Sequence, residues 1–282
     1  MKQRIITALI LAPLVILGVF FLPLQVFAVA IALITGLGFW EWTQFVQIEK
    51  RIQSLVIPLI VLIASFALIP FDTQSLTQIL PVHAAIAVIG LIWWCFASGL
   101  ALTFPQSQKL WANNAGIRQL FGILALIPFV WSVVLLRADG YQDDVYHGAK
   151  LVLFVCLLVW AADTGAYFVG KSIGKHKMSP HVSPNKTIEG LLGGIALSVI
   201  VGYFTAKGLS IHFESTLSMF FIIMVTVVIS VLGDLVESMF KRVSGIKDSS
   251  QMIPGHGGIL DRIDSLMAAF PTFAVLYFFC HT

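Results

Sequence analysis

Charge is scarce in this chain, and cysteine scarcer still. The 282 residues include only 17 Lys or Arg and 14 Asp or Glu, against 58% hydrophobic residues and a mean hydropathy of +0.93. Water-soluble domains carry roughly a quarter charged residues, so that class is excluded, and so is a disordered chain, which needs low hydrophobicity. The three cysteines, Cys95, Cys156 and Cys280, each sit in an apolar run, which removes a disulfide framework. A net charge of +3 is too small to announce a nucleic-acid partner, so the positions of the charges carry the information instead.

From Ile5 to Trp40 there is no Asp, Glu, Lys or Arg. At about 1.5 Å per residue, one helix of that length would overshoot a hydrocarbon core roughly 30 Å thick. Pro23 therefore marks a turn between two spans. A signal peptide is the alternative, given Lys2, Arg4 and Ala28-Val29-Ala30, but the apolar stretch exceeds the usual ~7 to 15 residues. Further apolar segments run over 52–71, 79–102, 119–136, 151–169, 190–206, 215–233 and 265–281. The expectation is an all-α integral membrane protein, a polytopic bundle of about nine transmembrane helices. Backbone groups have no water partners in lipid, and the runs are solid rather than alternating, so a β-barrel is excluded.

With the N-terminus in the cytoplasm, the inner segments collect Lys2, Arg4, Lys50, Arg51, Lys109, Arg118, Lys171, Lys175, Lys177, Lys186, Lys241, Arg242, Lys247 and Arg262. The outer segments hold only Arg137, Lys150 and Lys207. This asymmetry follows the positive-inside rule and puts the C-terminus outside. Residues 1–282 read as one polytopic membrane domain, in which 1–150 supply N-terminal helices and 151–282 carry the site. No internal repeat is evident.

Segments 163–190 and 234–264 hold eight Lys or Arg and seven Asp or Glu, about half of all charged residues. Solvated loops with snorkelling lysines would be rich in cations alone, whereas here carboxylates nearly match them. Asp163 lies within a span, where a carboxylate is costly and calls for a polar cavity or a cation, which marks it as a site residue, with a structural helix–helix ion pair as the alternative. Helical spacing puts Asp234, Glu237, Ser238 and Lys241 on one face. Asp261 and Asp264 stand three apart before the last span. Carboxylates converging from two helices make a hard-oxygen site suited to Mg²⁺. Between them come Lys241-Arg242, Lys247-Asp248 and the turn Pro254-Gly255-His256-Gly257-Gly258, cations and glycines of the kind that hold phosphate. The other loop offers Ser183-Pro184-Asn185-Lys186-Thr187-Ile188-Glu189-Gly190, with a helix expected to start near Thr187. Together these read as a nucleotide or polyphosphate site, with a cation-coupled transporter as the rival class.

Gly165-Ala166-Tyr167-Phe168-Val169-Gly170-Lys171-Ser172 fits the P-loop pattern letter for letter. That motif works only as a loop between a strand and a helix, and this copy lies in the apolar end of a span. It is set aside.

The stretch Ser238 to Asp264 resembles the signature of the phosphatidate cytidylyltransferase (CDP-diacylglycerol synthase) family. The residues that carry it are Ser238, Phe240-Lys241-Arg242, Lys247-Asp248, Ser250, Ile253-Pro254, His256-Gly257-Gly258-Ile259 and Asp261-Arg262-Ile263-Asp264. Ser183-Pro184, Lys186-Thr187 and Glu189-Gly190 resemble the family's other polar segment. Residues 1–150 match only in hydrophobic character. The resemblance implies an enzyme of the bacterial inner (plasma) membrane, with its active site facing the cytoplasm. It would join CTP and phosphatidate into CDP-diacylglycerol and pyrophosphate in phospholipid biosynthesis. It also implies Mg²⁺ held by Asp234 and Asp261, with Glu237 and Asp264 beside them. Lys186, Lys241, Arg242, His256 and Arg262 are then the catalytic candidates, His256 either donating to phosphate or holding its turn. Asp163, Ser183, Asn185, Thr187, Glu189, Lys247, Asp248, Gly257 and Gly258 are the substrate-binding candidates. A CTP-dependent lipid kinase is the nearest rival in the same class, and a homodimer is left open.

Overall fold

A computed structural model describes residues 2–46, 51–255 and 257–279, with side chains from Leu9 onward. Nine long and two short helices make up nearly all of it: α1 (Lys2–Phe21), α2 (Leu24–Val46), α3 (Arg51–Leu68), the short α4 (Thr73–Thr77), α5 (Pro81–Leu102), the short α6 (Gln108–Trp111), α7 (Ala115–Ala138), α8 (His147–Ile173), α9 (Ile188–Gly208), α10 (Thr216–Ser244) and α11 (Leu260–Phe279). The one sheet among the described residues is an antiparallel hairpin between α8 and α9, β1 (Lys177–Ser179) with β2 (Ser183–Thr187). The helical membrane fold expected from composition is what forms, with this hairpin standing where only a loop was expected.

Every expected span falls on a long helix. Eight of them, α2, α3, α5 and α7 to α11, are long and apolar enough to cross a bilayer, and the described apolar part of α1 runs over Leu9–Phe21. Pro23 does interrupt the first long run: α1 ends at Phe21, and the Pro23 carbonyl accepts the Phe27 N–H (2.8 Å) to open α2. Side chains are apolar on both faces because lipid and protein core are equally dry. Leu9, Leu33, Ile52, Leu192 and Phe204 are exposed outward, while Trp94, Trp131, Phe154 and Phe270 are buried inward.

Helices α8 and α9 pack backbone against backbone. The buried face of α9 is Gly190, Gly194, Ser198, Gly202 and Ala206, small residues at four-residue spacing. A Cβ on Gly165 would stand 2.5 Å from the Gly193 carbonyl oxygen, and one on Gly194 2.7 Å from that of Ala162. Backbone-to-backbone contact of this kind is how membrane helices associate without a hydrophobic driving force between them. Ser198 adds a hydrogen bond to the Leu158 carbonyl (2.8 Å).

Two further devices tie the halves of the chain together. At one end, Phe240 of α10 sits in an aromatic box with Trp42 (4.9 Å between ring centroids), Phe45 (5.8 Å), Trp111 (4.6 Å) and Phe121 (5.7 Å). At the other end, the buried Arg137 guanidinium donates to the carbonyls of Val19 (2.7 Å), Val145 (3.1 Å) and Leu22 (3.4 Å).

The α8–α9 contact yields the first prediction. Gly165→Ala should destabilise the bundle by ~1–3 kcal/mol, the usual cost of forcing atoms into a filled space. Gly99→Ala in α5, where a Cβ meets nothing within 4 Å, should be neutral. Thermal unfolding of both variants in detergent would show whether only the first loses stability.

Candidate active site

Helix α10 outruns a bilayer span and ends at Ser244, where Gly245 in the left-handed conformation (φ 69°) turns its N–H back to the Arg242 and Lys241 carbonyls. Its last turns carry Asp234, Glu237, Ser238 and Lys241 on one face, as the spacing predicts. Ser238 Oγ donates to Asp234 Oδ1 (3.2 Å), and Lys241 Nζ lies 3.0 Å from Glu237 Oε1. Asp261 and Asp264 occupy the first turns of α11. Lys241 also pairs with Asp261 Oδ1, so one ammonium holds carboxylates from two helices. Glu237 is 1% exposed.

The second charged segment reaches the same place. Lys186 of β2 pairs with Asp234 Oδ2 (2.7 Å) and donates to the Val231 carbonyl (3.1 Å). Arg242 Nε donates to the Val182 carbonyl (2.9 Å), fixing the hairpin to the end of α10. Thr187 is buried as the N-cap of α9 and accepts the Gly190 N–H (3.1 Å), so the helix begins where the sequence predicts. Glu189 accepts from the Lys175 N–H (3.1 Å) and meets His176 Nδ1 at 2.6 Å, which closes the base of the hairpin. Ser183 pairs with Ser179 across it.

Two cavities open onto this cluster. One, of about 240 Å³, lies between α8, α9 and α10 beneath the hairpin, and Asp163, Tyr167, Asn185, Lys186, Thr187 and Asp234 line it. Asp163 is exposed to it from within α8. The other, of about 550 Å³, lies in the α10–α11 connection and is lined by Asp248, Ser250, Gln251, Ile253, Pro254, Gly255, Gly257 and Arg262. Arg262 of the second follows Asp261, which Lys241 ties to the face of α10 that carries Asp234 of the first, so the two spaces border one charged cluster. Lys247 is exposed on the same connection.

The connection is shaped by glycine at the positions that demand it. Gly255 (φ 75°) and Gly257 (φ 81°) are left-handed. Gly258 is buried, and a Cβ there would overlap the Ser249 hydroxyl and stand 2.5 Å from Glu41 Oε2. Its N–H donates to Asp261 Oδ2 (2.7 Å), as does that of Ser249 (2.9 Å). The Gly258 amide thus serves Asp261 rather than pointing into a cavity. His256 lies outside the described residues.

The structure brings together Asp163, Lys186, Asp234, Glu237, Lys241, Asp261, Asp264 and Arg262. It uses Thr187, Glu189, Arg242 and Gly258 to hold the frame around them. The P-loop match runs wholly inside α8, and Lys171 lies over the ring of Tyr167, 5.5 Å from its centroid. The residue missed by sequence is Glu41 of α2, fully buried against the connection. Its signal is a lone carboxylate between Trp40 and Trp42 where the long uncharged run ends.

As a metal site the cluster is suited in charge and donor type. The carboxyl groups of Asp163, Asp234, Glu237, Asp261 and Asp264 outnumber the cations Lys186, Lys241 and Arg262 by two. Glu237 Oε2 is buried with no hydrogen-bond donor among the described residues. Those residues hold no preformed group of three or more His, Cys, Asp or Glu ligands. Any cation therefore competes with Lys186 and Lys241 for carboxylate oxygens.

The chain is similar to known proteins along nearly all its length. It is 41% identical over 290 residues to a phosphatidate cytidylyltransferase of Haemophilus influenzae, covering 99% of each chain. It is also 41% identical to one of Pseudomonas aeruginosa, over 98% of this chain and 96% of that one. A more distant relative of the same name, from Staphylococcus epidermidis, is 33% identical over 98% of both. The model of the cytidylyltransferase family matches residues 2–280. The buried charge, its hairpin and the glycine-shaped connection are therefore features of a member of the cytidylyltransferase family, to which this chain belongs.

Proposed function

We propose that the protein is an integral-membrane phosphatidate cytidylyltransferase that converts CTP and phosphatidate to CDP-diacylglycerol and pyrophosphate. The observation that carries the reading is the pair of neighbouring cavities around one carboxylate–cation cluster. The one between α8, α9 and α10 suits a lipid phosphate arriving from the bilayer. The one in the α10–α11 connection suits a nucleotide arriving from water.

In the reaction a phosphate oxygen of phosphatidate attacks the α-phosphorus of CTP, the bond from that phosphorus to the bridging oxygen breaks, and pyrophosphate leaves. The second pKa of a phosphomonoester is near 6, so the nucleophile is largely ionised at neutral pH and no strong general base is required. Positioning and charge neutralisation carry the catalysis. Lys186, partly buried in the first cavity, holds the lipid phosphate and exchanges its pairing with Asp234 for it. Arg262 and Lys247 face the triphosphate and the departing pyrophosphate. Lys241 is 12% exposed and engaged with Glu237 and Asp261, so it keeps α10 and α11 in register rather than reaching for phosphate.

Asp234, Glu237, Asp261 and Asp264 would hold Mg²⁺, which when bound neutralises triphosphate charge. The charged end faces the cytoplasm in this reading, in line with the positive-inside distribution. Reporters fused after Lys177 and after Ser210, at opposite ends of α9, should then report opposite compartments, the first cytoplasmic.

Purified protein in detergent, given labelled CTP and a panel of phospholipids, should form CDP-lipid from phosphatidate alone. Transfer to a different head group, or to none, would remove the assignment. Lys186→Ala should lower kcat at least tenfold more than Lys171→Ala, since Lys171 lies over Tyr167 in α8; the reverse ranking would revive the P-loop. Asp234→Asn should leave folded but inactive protein, and Arg262→Ala should raise the apparent KM for CTP more than that for phosphatidate. Kinetics with each substrate varied in mixed micelles measures both.

A further inference from the structure

Glu41 ends the long uncharged run, on a helix far in sequence from the charged segments, and its side chain is fully buried. Among the described residues, the hydrogen bonds to it come from the α10–α11 connection and the start of α11. Oε1 accepts from Ser250 Oγ (2.6 Å) and the Ile259 N–H (2.9 Å). Oε2 accepts from Ser249 Oγ (2.9 Å) and the Leu260 N–H (2.7 Å). The first amides of a helix have no acceptor within it and gather partial positive charge. Glu41 therefore supplies to α11, from another helix, what an N-cap side chain normally supplies from the preceding residue.

The same hydroxyl of Ser249 lies 3.0 Å from Asp261 Oδ2, the oxygen that also accepts the Ser249 and Gly258 N–H groups. Glu41 and Asp261 thus grip the connection from two sides, with Ser249 between them. One helical turn beyond Glu41, Gln44 donates to the Ser249 carbonyl. Nothing larger than glycine fits at 258, because the space of its Cβ belongs to Glu41 and Ser249. A simple staple between α2 and α11 could be built from apolar contacts at no desolvation cost. Instead a carboxylate is buried and aimed at the segment that orients Asp261.

We infer that Glu41 is a positioning residue for the transfer reaction: it fixes the 249–260 connection and the first turn of α11, and so sets the direction of the Asp261 carboxylate. The catalytic part of the inference rests on the cytidylyltransferase reading; the geometric part does not.

The test uses full-length Glu41→Gln and wild type in detergent. Glutamine keeps the volume but turns an amide nitrogen toward donors that need an acceptor. Expected are a kcat per folded protein lower by about 10- to 100-fold, the scale of loss when a reacting group is misplaced by about 1 Å. KM values for CTP and phosphatidate should each stay within about threefold, as for a loss confined to the transition state. Hydrogen exchange in the 249–264 peptides should be faster. Combined with Ser249→Ala, the loss should be less than the product of the two single losses, because both act through one network. A lowered melting temperature with unchanged kcat would make Glu41 a plain staple and overturn the inference, as would a defect confined to one KM. If wild type forms no CDP-lipid, the reaction reading fails by itself, and hydrogen exchange decides: unchanged rates in 249–264 overturn the positioning role, and faster rates uphold it. Should Glu41→Gln not fold, Ser250→Ala removes one donor to the same carboxylate and carries the same readouts at smaller size.

Discussion

A carboxylate between apolar helices must be met by a cation or by amide and hydroxyl donors, since leaving it bare in a dry interior costs several kcal/mol. The charged end of this bundle is arranged around that requirement. Asp234 is met by Lys186, Asp261 and Glu237 by Lys241, and Glu41 by four donors of the connection. Apart from Glu237–Lys241, which lies within α10, each pairing joins two different elements: β2 to α10, α10 to α11, α2 to the connection and start of α11. The ion pairs are thus the joints of the site as well as its chemistry. A substrate phosphate or a cation that takes one partner must release the other, so binding and local rearrangement are linked through the same oxygens.

Charge joints need a stiff frame, and apolar packing provides it. Phe240 lies one residue before Lys241, and its ring is enclosed by Trp42, Phe45, Trp111 and Phe121. That box fixes the rotation of the last turn of α10 and so the direction in which Glu237 and Lys241 point. On the other side, the small-residue face of α9 brings its backbone against α8, which carries Asp163. The hairpin between those helices is short, so their close approach also determines where Lys186 can reach.

The helical membrane fold, the break at Pro23 and the helix start after Thr187 are legible in the sequence, because each depends on local pattern: apolar length, a missing N–H, a capping side chain. The shared face of Asp234, Glu237, Ser238 and Lys241 is legible for the same reason, since 3.6-residue periodicity fixes it. Partnerships across helices are not. Nothing local tells that Lys241 turns inward to two carboxylates, or that Arg242 and Glu189 are taken up by carbonyls and amides of the hairpin. The hairpin itself is hidden because strands of three and five residues, with Pro180 in the turn and Pro184 in β2, carry no alternation to read. Glu41 is the clearest loss: a lone acid beside two tryptophans looks like a helix end, and its meaning depends on amides more than two hundred residues away.

The N-terminal helices, featureless by composition, therefore take part in the site, above all through one turn of α2. Trp42 packs on Phe240 while its neighbour Glu41 holds the start of α11, so consecutive positions of α2 address both helices of the carboxylate pair. Trp42 also donates its indole N–H to the Arg118 carbonyl (2.8 Å), and Arg118 in turn donates to the Phe45 carbonyl (2.9 Å), which ties this turn of α2 to α7. A displacement of α2 cannot then occur without disturbing the relation between α10 and α11. Helix α2 is accordingly more than a lipid-facing anchor: the turn from Glu41 to Phe45 acts as the keystone between the aromatic box and the charged cluster. Residue volume and a single negative charge are the properties that this turn has to keep.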